Sequence, residues 1–310
     1  MRPRVSVIIP TFNRWNLVGD AIESALGQTL KDVEIVLVND GGAEPSGKAV
    51  DLIRDDRVLY VPHVANRGLA AARNTALSRC SGEFIAYLDD DDLYYPDHLE
   101  TIVSTMVRNE WDVAYADAFR ATCEIAPEGV RVLKKEIVYS REFNEEELWK
   151  DNFIPVLCVL HRRECLEKAG IFDPDLPVLE DWDLWLRMSL NYRFHHIPQA
   201  TSEYRIRRDG SNMTEKRNRH IGYQVRETIY RKYLRDPSFR EDPVRLERLR
   251  GGIVSLLIDY RRWYLRKLTG DADGLFFRIV YPTLSGGEKL YLCALHPVVV
   301  VAHWLRRGIS

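Results

Sequence analysis

The sequence lacks the features of a secreted, disulfide-bonded or zinc-stabilised protein. Its 310 residues include only five cysteines, an odd number, and no two of them form a Cys-x-x-Cys pair. That usage predicts reduced thiols rather than a disulfide framework or a zinc site. The only early apolar run, from Val5 to Pro10, is far shorter than the core of a signal peptide. We therefore expect a mature, cytosolic N-terminus and no secretion.

Charge is distributed unevenly along the chain, although the formal net charge is only −2. Residues 1–215 contain 25 lysines and arginines against 37 acidic residues, whereas residues 216–267 contain 15 against 6. With 45% hydrophobic residues, the chain otherwise has the composition of an ordinary globular protein. The acidic body predicts metal and substrate chemistry. The basic stretch predicts either an anionic partner surface or a solvated, arginine-rich helix face.

The first hundred residues alternate between strand-like and helix-like segments. Four apolar, β-branched runs are typical of strands: Val5–Ile9, Glu34–Val38, Val58–Val61 and Phe84–Leu88. Three segments between them have helical patterns and follow turn or capping residues: Leu17–Leu26, Gly47–Ile53 and Leu69–Ser78. This alternation is typical of a largely parallel sheet covered by helices, so the sequence predicts the α/β fold class.

Four consecutive aspartates, Asp89, Asp90, Asp91 and Asp92, follow the fourth strand-like run. Like charges at this spacing need a cation or hydrogen-bond donors to neutralise them. Oxygen ligands alone favour Mg²⁺ or Mn²⁺ over zinc, so the acidic loop is a candidate metal site. The alternative is an aspartate-rich turn before a helix that Pro96 opens, with Asp92 in particular as the helix cap.

Other polar residues end neighbouring strands. In sheets of this type, ligands bind at the carboxyl ends of the strands, which brings Pro10, Thr11, Asn39 and Asp40 to the rim that carries the acidic loop. Asp40 could accept hydrogen bonds from a base or ribose, although Asp-Gly is also a common turn signal. Arg73 lies in a helix of small residues, where it could reach a diphosphate or simply be solvated.

The second part of the chain has a mixed pattern. It predicts a helix from Pro96 to about Asn109, strands at Val113–Phe119, Arg131–Val138 and Val156–Leu160, and helices at Arg163–Ala169 and Trp182–Leu190. We interpret residues 1–110 and 111–215 as two halves of one domain. The first would bind the donor of a transferred group, and the second would bind its acceptor. A lone histidine, His161, follows one of these strands and is expected to be structural.

From about Lys216 the sequence becomes helical and basic, with breaks at Asp236-Pro237 and Asp242-Pro243. Leu290–Leu305 is strongly apolar but too short and interrupted for a transmembrane helix, which needs about 20 apolar residues. We interpret it as an interfacial amphipathic anchor, or else as a core helix or an oligomer contact. Residues 216–310 are thus predicted to form a helical region that contacts a membrane surface or another copy of the chain.

Four segments together carry a resemblance to a known family: Val5–Arg14 (VSVIIPTFNR), Val38–Gly41 (VNDG), Gly68–Asn74 (GLAAARN) and Gly82–Asp92 (GEFIAYLDDDD). In order and spacing they resemble the inverting family-two glycosyltransferases, over roughly residues 4–215. The resemblance implies a GT-A fold, a nucleoside-diphosphate sugar donor and a divalent metal, Mg²⁺ or Mn²⁺. It also implies transfer with inversion at the anomeric carbon.

The resemblance implies a role for each matching residue on the donor side. Pro10 and Thr11 would line the nucleotide pocket, Asp40 would hold the base, commonly uracil, and Arg73 would lie beside the nucleotide and the diphosphate.

Within the acidic loop, Asp89 would face the ribose and sugar, and Asp91 would coordinate the metal that bridges the two phosphates. Because Asp90 is also a carboxylate, the working pair is either Asp89 with Asp91 or Asp90 with Asp91.

The base of the resembling family is an acidic residue that opens a helix after an Asp- and Pro-rich loop. Phe172–Trp185 (FDPDLPVLEDWDLW) matches this pattern. The match makes Asp181 the candidate catalytic base and Glu180 its neighbour, and repulsion between the two carboxylates could raise a pKa. The alternative is that both merely cap the helix. Trp182 is either a platform for the acceptor sugar or a core residue.

A later segment, Tyr204–Asn212, resembles a family segment that often has histidine where Arg207 stands. This departure argues against a histidine ligand at that position. Arg205, Arg207 or Arg208 could contact the leaving diphosphate instead, since arginine suits phosphate geometry, or could lie in a solvated loop.

These features predict a metal-dependent inverting glycosyltransferase that uses a nucleoside-diphosphate sugar, expected to be a UDP-sugar. Its acceptor would be a hydroxyl of a glycan or of a lipid-linked molecule, as in cell-surface polysaccharide synthesis. The expected location is the cytoplasm, with a peripheral contact to the inner face of the membrane as the alternative. No nucleic-acid partner is expected.

Two other functions compete with this prediction. A sugar nucleotidyltransferase would be expected to carry a Gly-rich, basic phosphate loop after its first strand, and Pro10–Arg14 has none. A non-catalytic carbohydrate- or membrane-binding protein that retains the fold would be expected to have lost the metal aspartate or the base, and both are present.

Overall fold

The first predicted strand lies inside a mixed sheet in a computed structural model that describes residues 3–126, 129–209, 212 and 219–264. All seven residues of β1 (Val5–Thr11) are buried, as expected for apolar, β-branched residues in a strand covered on both faces. β1 pairs in parallel with β2 (Val33–Asn39) and β4 (Phe84–Tyr87), and β2 pairs in parallel with β3 (Val58–Pro62). The predicted α/β class is therefore confirmed.

The second half of the chain extends the same sheet. Its strands within the described residues are β5 (Leu93–Tyr94), β6 (Val113–Ala126), β7 (Gly129–Tyr139), β8 (Val159–Arg162) and β9 (Phe194–Arg207). β8 is antiparallel to both β4 and β6, while β6 runs parallel to β9 and antiparallel to β7. Over the described ranges the order is β3-β2-β1-β4-β8-β6-β9-β5, so the two predicted halves share one sheet.

Helices connect these strands and follow the last one. Those in the described part of the chain are α1 (Trp15–Leu26), α2 (Ala49–Leu52), α3 (Leu69–Leu77), α4 (His98–Asn109), α5 (Glu145–Lys150), α6 (Cys165–Ala169), α7 (Glu180–Ser189), α8 (Arg219–Arg235), α9 (Pro237–Glu241) and α10 (Pro243–Tyr264). α3 contacts β1 and β2, and it buries Ala70, Ala72 and Ala76. These small side chains allow the helix to lie close to the sheet, which brings the rest of α3 to the rim.

Several element boundaries differ from the sequence prediction, among them that of β6, which is predicted to end at Phe119 and runs to Ala126. The predicted strand Val156–Leu160 is wrong in its first part, because Val156–Cys158 form a 3-10 turn after Pro155 and only then does β8 begin. Proline at this position fixes the backbone dihedral that starts the turn. The helix expected from Pro96 begins instead at His98.

The described C-terminal helices pack against the preceding part of the chain. Their buried side chains belong to the same hydrophobic core as the sheet: Val225, Ile229, Tyr230, Tyr233, Phe239, Leu249 and Ile253. The two predicted breaks are confirmed by caps, because Asp236 accepts a hydrogen bond from the backbone N–H of Ser238 and Asp242 accepts one from Val244, both at 2.9 Å.

The predicted boundary at residue 216 and the predicted surface or oligomer contact stay predictions. Leu290–Leu305, the candidate anchor, lies outside the described residues. Within the ranges that the structure covers, no helix combines the length and the apolar character needed to cross a membrane.

The contact between α10 and α5 can be tested with two adjacent glycines. A Cβ on Gly252 would lie 2.4 Å from the carbonyl oxygen of Trp149 and 2.7 Å from the hydroxyl oxygen of Tyr230. Because both distances are below van der Waals contact, Gly252→Ala should lower the free energy of unfolding by about 1–3 kcal/mol, measured by urea denaturation.

Gly251→Ala is the matched control for this substitution. Its Cβ would meet Lys150 Cε at 3.7 Å, an ordinary contact. Alanine is favoured over glycine within a helix by about 1 kcal/mol, so this variant should be neutral or stabilised. Equal destabilisation of the two variants would contradict the packing of α10 on α5.

Candidate functional site

The carboxyl ends of β1, β2 and β4 open into one cavity of about 1180 Å³. Small-molecule pockets typically have volumes of about 300–1,000 Å³, so this cavity is larger than that of a typical single ligand. Nine of the residues singled out by the sequence line it: Pro10, Thr11, Asp40, Arg73, Asp89, Asp90, Asp91, Glu180 and Asp181. Asn39, Asp92, Arg207 and Arg208 are not among its lining residues. The fold thus brings these nine candidates together, while the role of each stays a prediction.

Asp40, at the end of β2, organises the loop that precedes α3. Its Oδ1 accepts a hydrogen bond from the backbone N–H of Arg67 (2.9 Å) and lies 2.7 Å from His63 Nδ1. Its Oδ2 accepts one from the backbone N–H of Gly68 (2.9 Å). Each carboxylate oxygen can accept two hydrogen bonds, so Oδ2 can still accept one from a ligand N–H.

Asp90 points into the protein. Its Oδ2 accepts a hydrogen bond from Thr11 Oγ1 (2.8 Å), and its Oδ1 accepts one from Arg14 Nη1 (3.0 Å). Burial, together with the charge of Asp91, raises the pKa of the Asp90 carboxyl to about 7, while Arg14 and Thr11 act in the opposite direction. Asp90 therefore joins β1 to the acidic loop.

Asp89 and Asp91 carry the more accessible carboxylates of this loop. Their side chains are 26% and 17% exposed, compared with 6% for Asp90. Asp91 Oδ2 accepts a hydrogen bond from Arg207 Nη1 and lies 3.5 Å from Arg14 Nη1. These arginines neutralise part of the negative charge that the sequence concentrates here.

The chemistry of Asp89 and Asp91 suits a hard divalent cation whose coordination a ligand completes. Both offer only oxygen atoms, and Mg²⁺ typically binds one or two carboxylates together with substrate phosphates. Among the described residues, no group of three or more His, Cys, Asp or Glu side chains is arranged to hold a metal ion. The residues therefore fit a cation shared between the protein and a diphosphate rather than an all-protein metal site.

Asp92 does not cap the following helix, so that alternative is wrong. Its side chain is buried, and its Oδ1 accepts a hydrogen bond from the backbone N–H of Arg205 on β9 (2.8 Å). The helix itself begins later, at His98. Burial raises the pKa of the Asp92 carboxyl well above its ordinary value. Asp92 thus ties the acidic loop to β9.

Arg73 is only 1% exposed, which rules out its interpretation as a solvated helix arginine. Its guanidinium donates to Glu180 Oε1 and to Asp89 Oδ1, the latter at 2.6 Å, and lies 5.4 Å from the centre of the Phe172 ring. Although burial opposes the shift, the charges of Asp89 and Glu180 raise the pKa of Arg73. A fixed positive charge therefore lies in the cavity wall.

Glu180 and Asp181 open α7 but have different surroundings. Glu180 is buried against Arg73, and burial raises its pKa to about 7 against the charge of that arginine. Asp181 Oδ1 accepts a hydrogen bond from the backbone N–H of Trp182 (2.7 Å), and Oδ2 accepts one from Asn152 Nδ2 (3.1 Å). Burial also raises the pKa of Asp181. Asp181 is thus oriented by two donors, whereas Glu180 is committed to the ion pair.

The three arginines near the end of β9 differ in their contacts. Arg207 is the one whose side chain reaches the acidic loop. Arg205 lines the cavity, and its Nε donates to Glu203 (2.9 Å). Arg208 is exposed and pairs with Glu124 at 2.8 Å. Arg208 therefore lies away from the acidic loop, while Arg207 reaches that loop but is not among the residues that line the cavity.

Two other residues singled out by their sequence context are structural. Trp182 is 1% exposed and its Nε1 donates to the carbonyl oxygen of Leu148 (2.7 Å), so its interpretation as an acceptor platform is wrong. His161 is buried, and Tyr87 Oη lies 2.7 Å from its Nε2. This confirms the structural role expected for that histidine.

Sequence reasoning misses several residues of the site. Arg14 is the last residue of the Val5–Arg14 segment, and its position after a strand is the only sequence signal of its contact with the acidic loop. Asn152 and Tyr223 lie in segments without a recognised motif, and only the packing of helices brings them to the cavity.

Comparison with protein families identifies proteins that are similar to this chain. The family model described as "Glycosyl transferase family 2" matches residues 6–170. An uncharacterized glycosyltransferase of Rickettsia typhi is 30% identical over 200 residues, which cover 63% of this chain and 62% of that protein. The uncharacterized glycosyltransferase EpsJ of Bacillus subtilis is 33% identical over 192 residues, 58% of this chain and 54% of that protein. The chain thus spans less than two thirds of the length of either relative.

Solved structures share the fold. TarS of S. aureus in complex with UDP superposes with a TM-score of 0.60 at 17% identity, covering 92% of this chain and 77% of that one. The mannosyltransferase PcManGT from Pyrobaculum calidifontis, in complex with GDP-Man and Mn²⁺, gives 0.58 at 19% identity, covering 98% and 86%. These likenesses confirm the GT-A type of fold that the motifs implied.

Proposed function

Because this chain belongs to glycosyltransferase family 2, we propose that it transfers a sugar from a nucleoside-diphosphate sugar to a hydroxyl of a glycan or lipid-linked acceptor. The proposal includes inversion at the anomeric carbon and a UDP-sugar as donor. The observation that carries it is the single cavity lined by Asp40, Arg73, the acidic loop and Asp181. Solved relatives described as complexes with UDP and with GDP-Man support a nucleotide donor.

On the donor side, we assign each group a task in this proposal. Asp40 Oδ2 would accept a hydrogen bond from the base. Arg73 would face the diphosphate, where its charge stabilises the leaving group. Arg207 would act through its contact with Asp91. A divalent cation held by Asp89 and Asp91 would neutralise charge on the two phosphates.

The chemical step needs a base on the acceptor side. The Asp181 carboxylate takes the proton of the acceptor hydroxyl, and the hydroxyl oxygen forms a bond to the anomeric carbon. The bond from that carbon to the diphosphate oxygen breaks, and the diphosphate leaves with the electron pair. Attack on the face opposite the leaving group inverts the anomeric centre. A raised pKa suits Asp181 to accept this proton.

A donor panel tests the proposal. UDP-, GDP- and dTDP-sugars would be incubated with the protein, with and without Mn²⁺, while hydrolysis, transfer and binding are measured. We expect one nucleotide class to bind and react, with Mn²⁺ increasing affinity. If no donor binds or turns over, the proposed function is wrong.

Asp91→Asn should weaken the Mn²⁺-dependent part of nucleotide binding by at least about tenfold, because it removes one of two accessible carboxylates. Calorimetric titration with UDP, with and without Mn²⁺, measures this effect. Asp51→Asn is the control, since that carboxylate is 85% exposed and pairs only with Arg54 at 3.5 Å in the described contacts. If Asp91→Asn kept the full effect of Mn²⁺ on nucleotide affinity, Asp91 would not be a metal ligand.

A further inference from the structure

Part of the cavity wall is built by elements that follow the sheet. Asp151 and Asn152 come from the segment after α5, Tyr223 and Arg226 from α8, and Asp259 from α10, and all five line the cavity. We call these five residues the helical wall. No motif in the sequence assigns them a role.

The helical wall is continuous with the candidate base. Arg226 on α8 donates from Nη2 to the carbonyl oxygen of Lys150 and from Nη1 to Asp259 Oδ2, the second bond at 3.2 Å. The first of these bonds fixes the segment that leads to Asn152, whose Nδ2 donates to Asp181 Oδ2. A molecule bound against this wall would therefore lie beside the carboxylate that we propose as the base.

Two polar atoms of the wall are buried without a partner. Within the described part of the chain, Asn152 Oδ1 and Arg226 Nε have no hydrogen-bond partner, and the Arg226 residue is only 9% exposed. Buried polar atoms in native proteins are nearly always hydrogen-bonded, so these two point to a ligand or a water molecule. One is an acceptor and the other a donor. A ligand hydroxyl can pair with an atom of either kind, since it both donates and accepts.

The charge of the wall restricts what can carry that hydroxyl. Asp151 is exposed, and Asp181 adjoins the wall through its hydrogen bond from Asn152. The charge of Arg226 is matched by Asp259. Among the five residues, Asp151 and Asp259 are acidic and Arg226 is basic, so the wall carries a net negative charge. Such a wall disfavours an anionic ligand. Tyr223, partly buried, adds an aromatic ring, and its hydroxyl donates to the carbonyl oxygen of Asp259 at 3.3 Å.

We propose that the helical wall is an acceptor subsite for a neutral sugar, whose hydroxyls bond Asn152 and Arg226 and whose ring packs on Tyr223. This inference rests on the proposed function, and it narrows the acceptor from any hydroxyl compound to an uncharged sugar unit. It also gives α8 and α10 a part in acceptor recognition.

Matched sugar pairs test the proposal. The probes are p-nitrophenyl glucopyranoside with p-nitrophenyl glucuronide, and p-nitrophenyl galactopyranoside with p-nitrophenyl galacturonide, each as both anomers. Members of a pair differ only in a carboxylate at C6. Binding to the full chain in the presence of UDP is titrated by saturation-transfer NMR. We expect a neutral member to bind at least about tenfold more tightly than its uronide.

Variants of the helical wall test whether the preference for neutral sugars arises from its residues. Tyr223→Ala should weaken binding of the neutral sugar about tenfold, whereas Tyr223→Phe, which keeps the ring, should stay within about twofold of the natural protein. Asp151→Asn should reduce the discrimination against the uronide. Affinity for UDP should be unchanged in Tyr223→Phe and Asp151→Asn. The midpoint of thermal unfolding should be unchanged in Asp151→Asn and should fall only slightly in Tyr223→Phe, which loses one hydrogen bond.

Equal binding within every pair, tighter binding of a uronide, or no binding of any neutral probe would overturn the acceptor subsite. If the natural protein did not bind UDP, that result would instead count against the proposed function. The two failures are therefore distinguishable. If Tyr223→Ala retained full affinity for the neutral sugar, the ring of Tyr223 would not be part of the subsite.

Discussion

Asp181→Asn should lower the rate constant kcat for sugar transfer by about 10²–10⁴-fold, the usual contribution of a positioned general base. The amide is nearly isosteric with the carboxylate but cannot take up the proton of the acceptor hydroxyl. Donor binding should change little, because the side chain is held by Trp182 N–H and Asn152 rather than by the donor-side residues. Steady-state transfer and calorimetric binding of UDP measure the two effects separately.

Two further carboxylate variants make this result interpretable. Glu180→Gln should act mainly by weakening the ion pair with Arg73, so it should affect donor affinity as well as transfer. Asp175→Asn is the control, since Asp175 is exposed on the same cavity and lies outside α7. If Glu180→Gln abolished transfer while Asp181→Asn left it intact, the roles of the two carboxylates would be reversed.

The position of the site could be predicted from the sequence because it depends on strand order and polarity. Strands β1, β2 and β4 are recognisable apolar runs, and their carboxyl ends carry Thr11, Asp40 and the acidic loop. A parallel arrangement necessarily places these ends on one edge. The convergence of segments distant in sequence therefore required no knowledge of side-chain contacts.

The direction in which each aspartate points could not be predicted, because it depends on partners distant in the chain. Asp90 turns inward to Thr11 and Arg14, and Asp92 bonds to the backbone of β9. Each partner lies more than 70 residues away in sequence, and no local pattern distinguishes the four carboxylates. The alternatives left open for Asp89 and Asp90 have the same origin.

The acceptor side was harder to predict for a different reason. Its residues come from short helices and connecting segments whose positions are set by packing of side chains such as Tyr230, whose hydroxyl donates to the carbonyl oxygen of Trp149 at 2.6 Å. Such contacts leave no periodic signal. The sequence therefore singled out Asp181 as a candidate through its resemblance to a family pattern, but not Asn152, which donates a hydrogen bond to it.

Arg73→Met should lower the free energy of unfolding by about 3–5 kcal/mol, the usual cost of removing one member of a buried ion pair. Arg73 and Glu180 have side chains that are only 2% and 5% exposed, so the remaining carboxylate would be left without its cation in a buried site. Methionine keeps much of the volume of the arginine stem, which limits the effect of a cavity. Urea denaturation followed by circular dichroism measures the change.

A double variant separates the charge from the packing. Arg73→Met combined with Glu180→Gln removes both charges, so it should be clearly more stable than Arg73→Met alone, with a coupling of about 0.5–3 kcal/mol. Arg54→Met is the matched control, because its partner Asp51 is exposed and such surface pairs contribute about 0–1 kcal/mol. If the double variant were no more stable than the single one, the cost would come from the lost contact with Asp89 or from lost packing against Phe172, rather than from the unpaired charge of Glu180. Restored stability without restored donor binding would then show that the cation at position 73 serves the substrate as well as the fold.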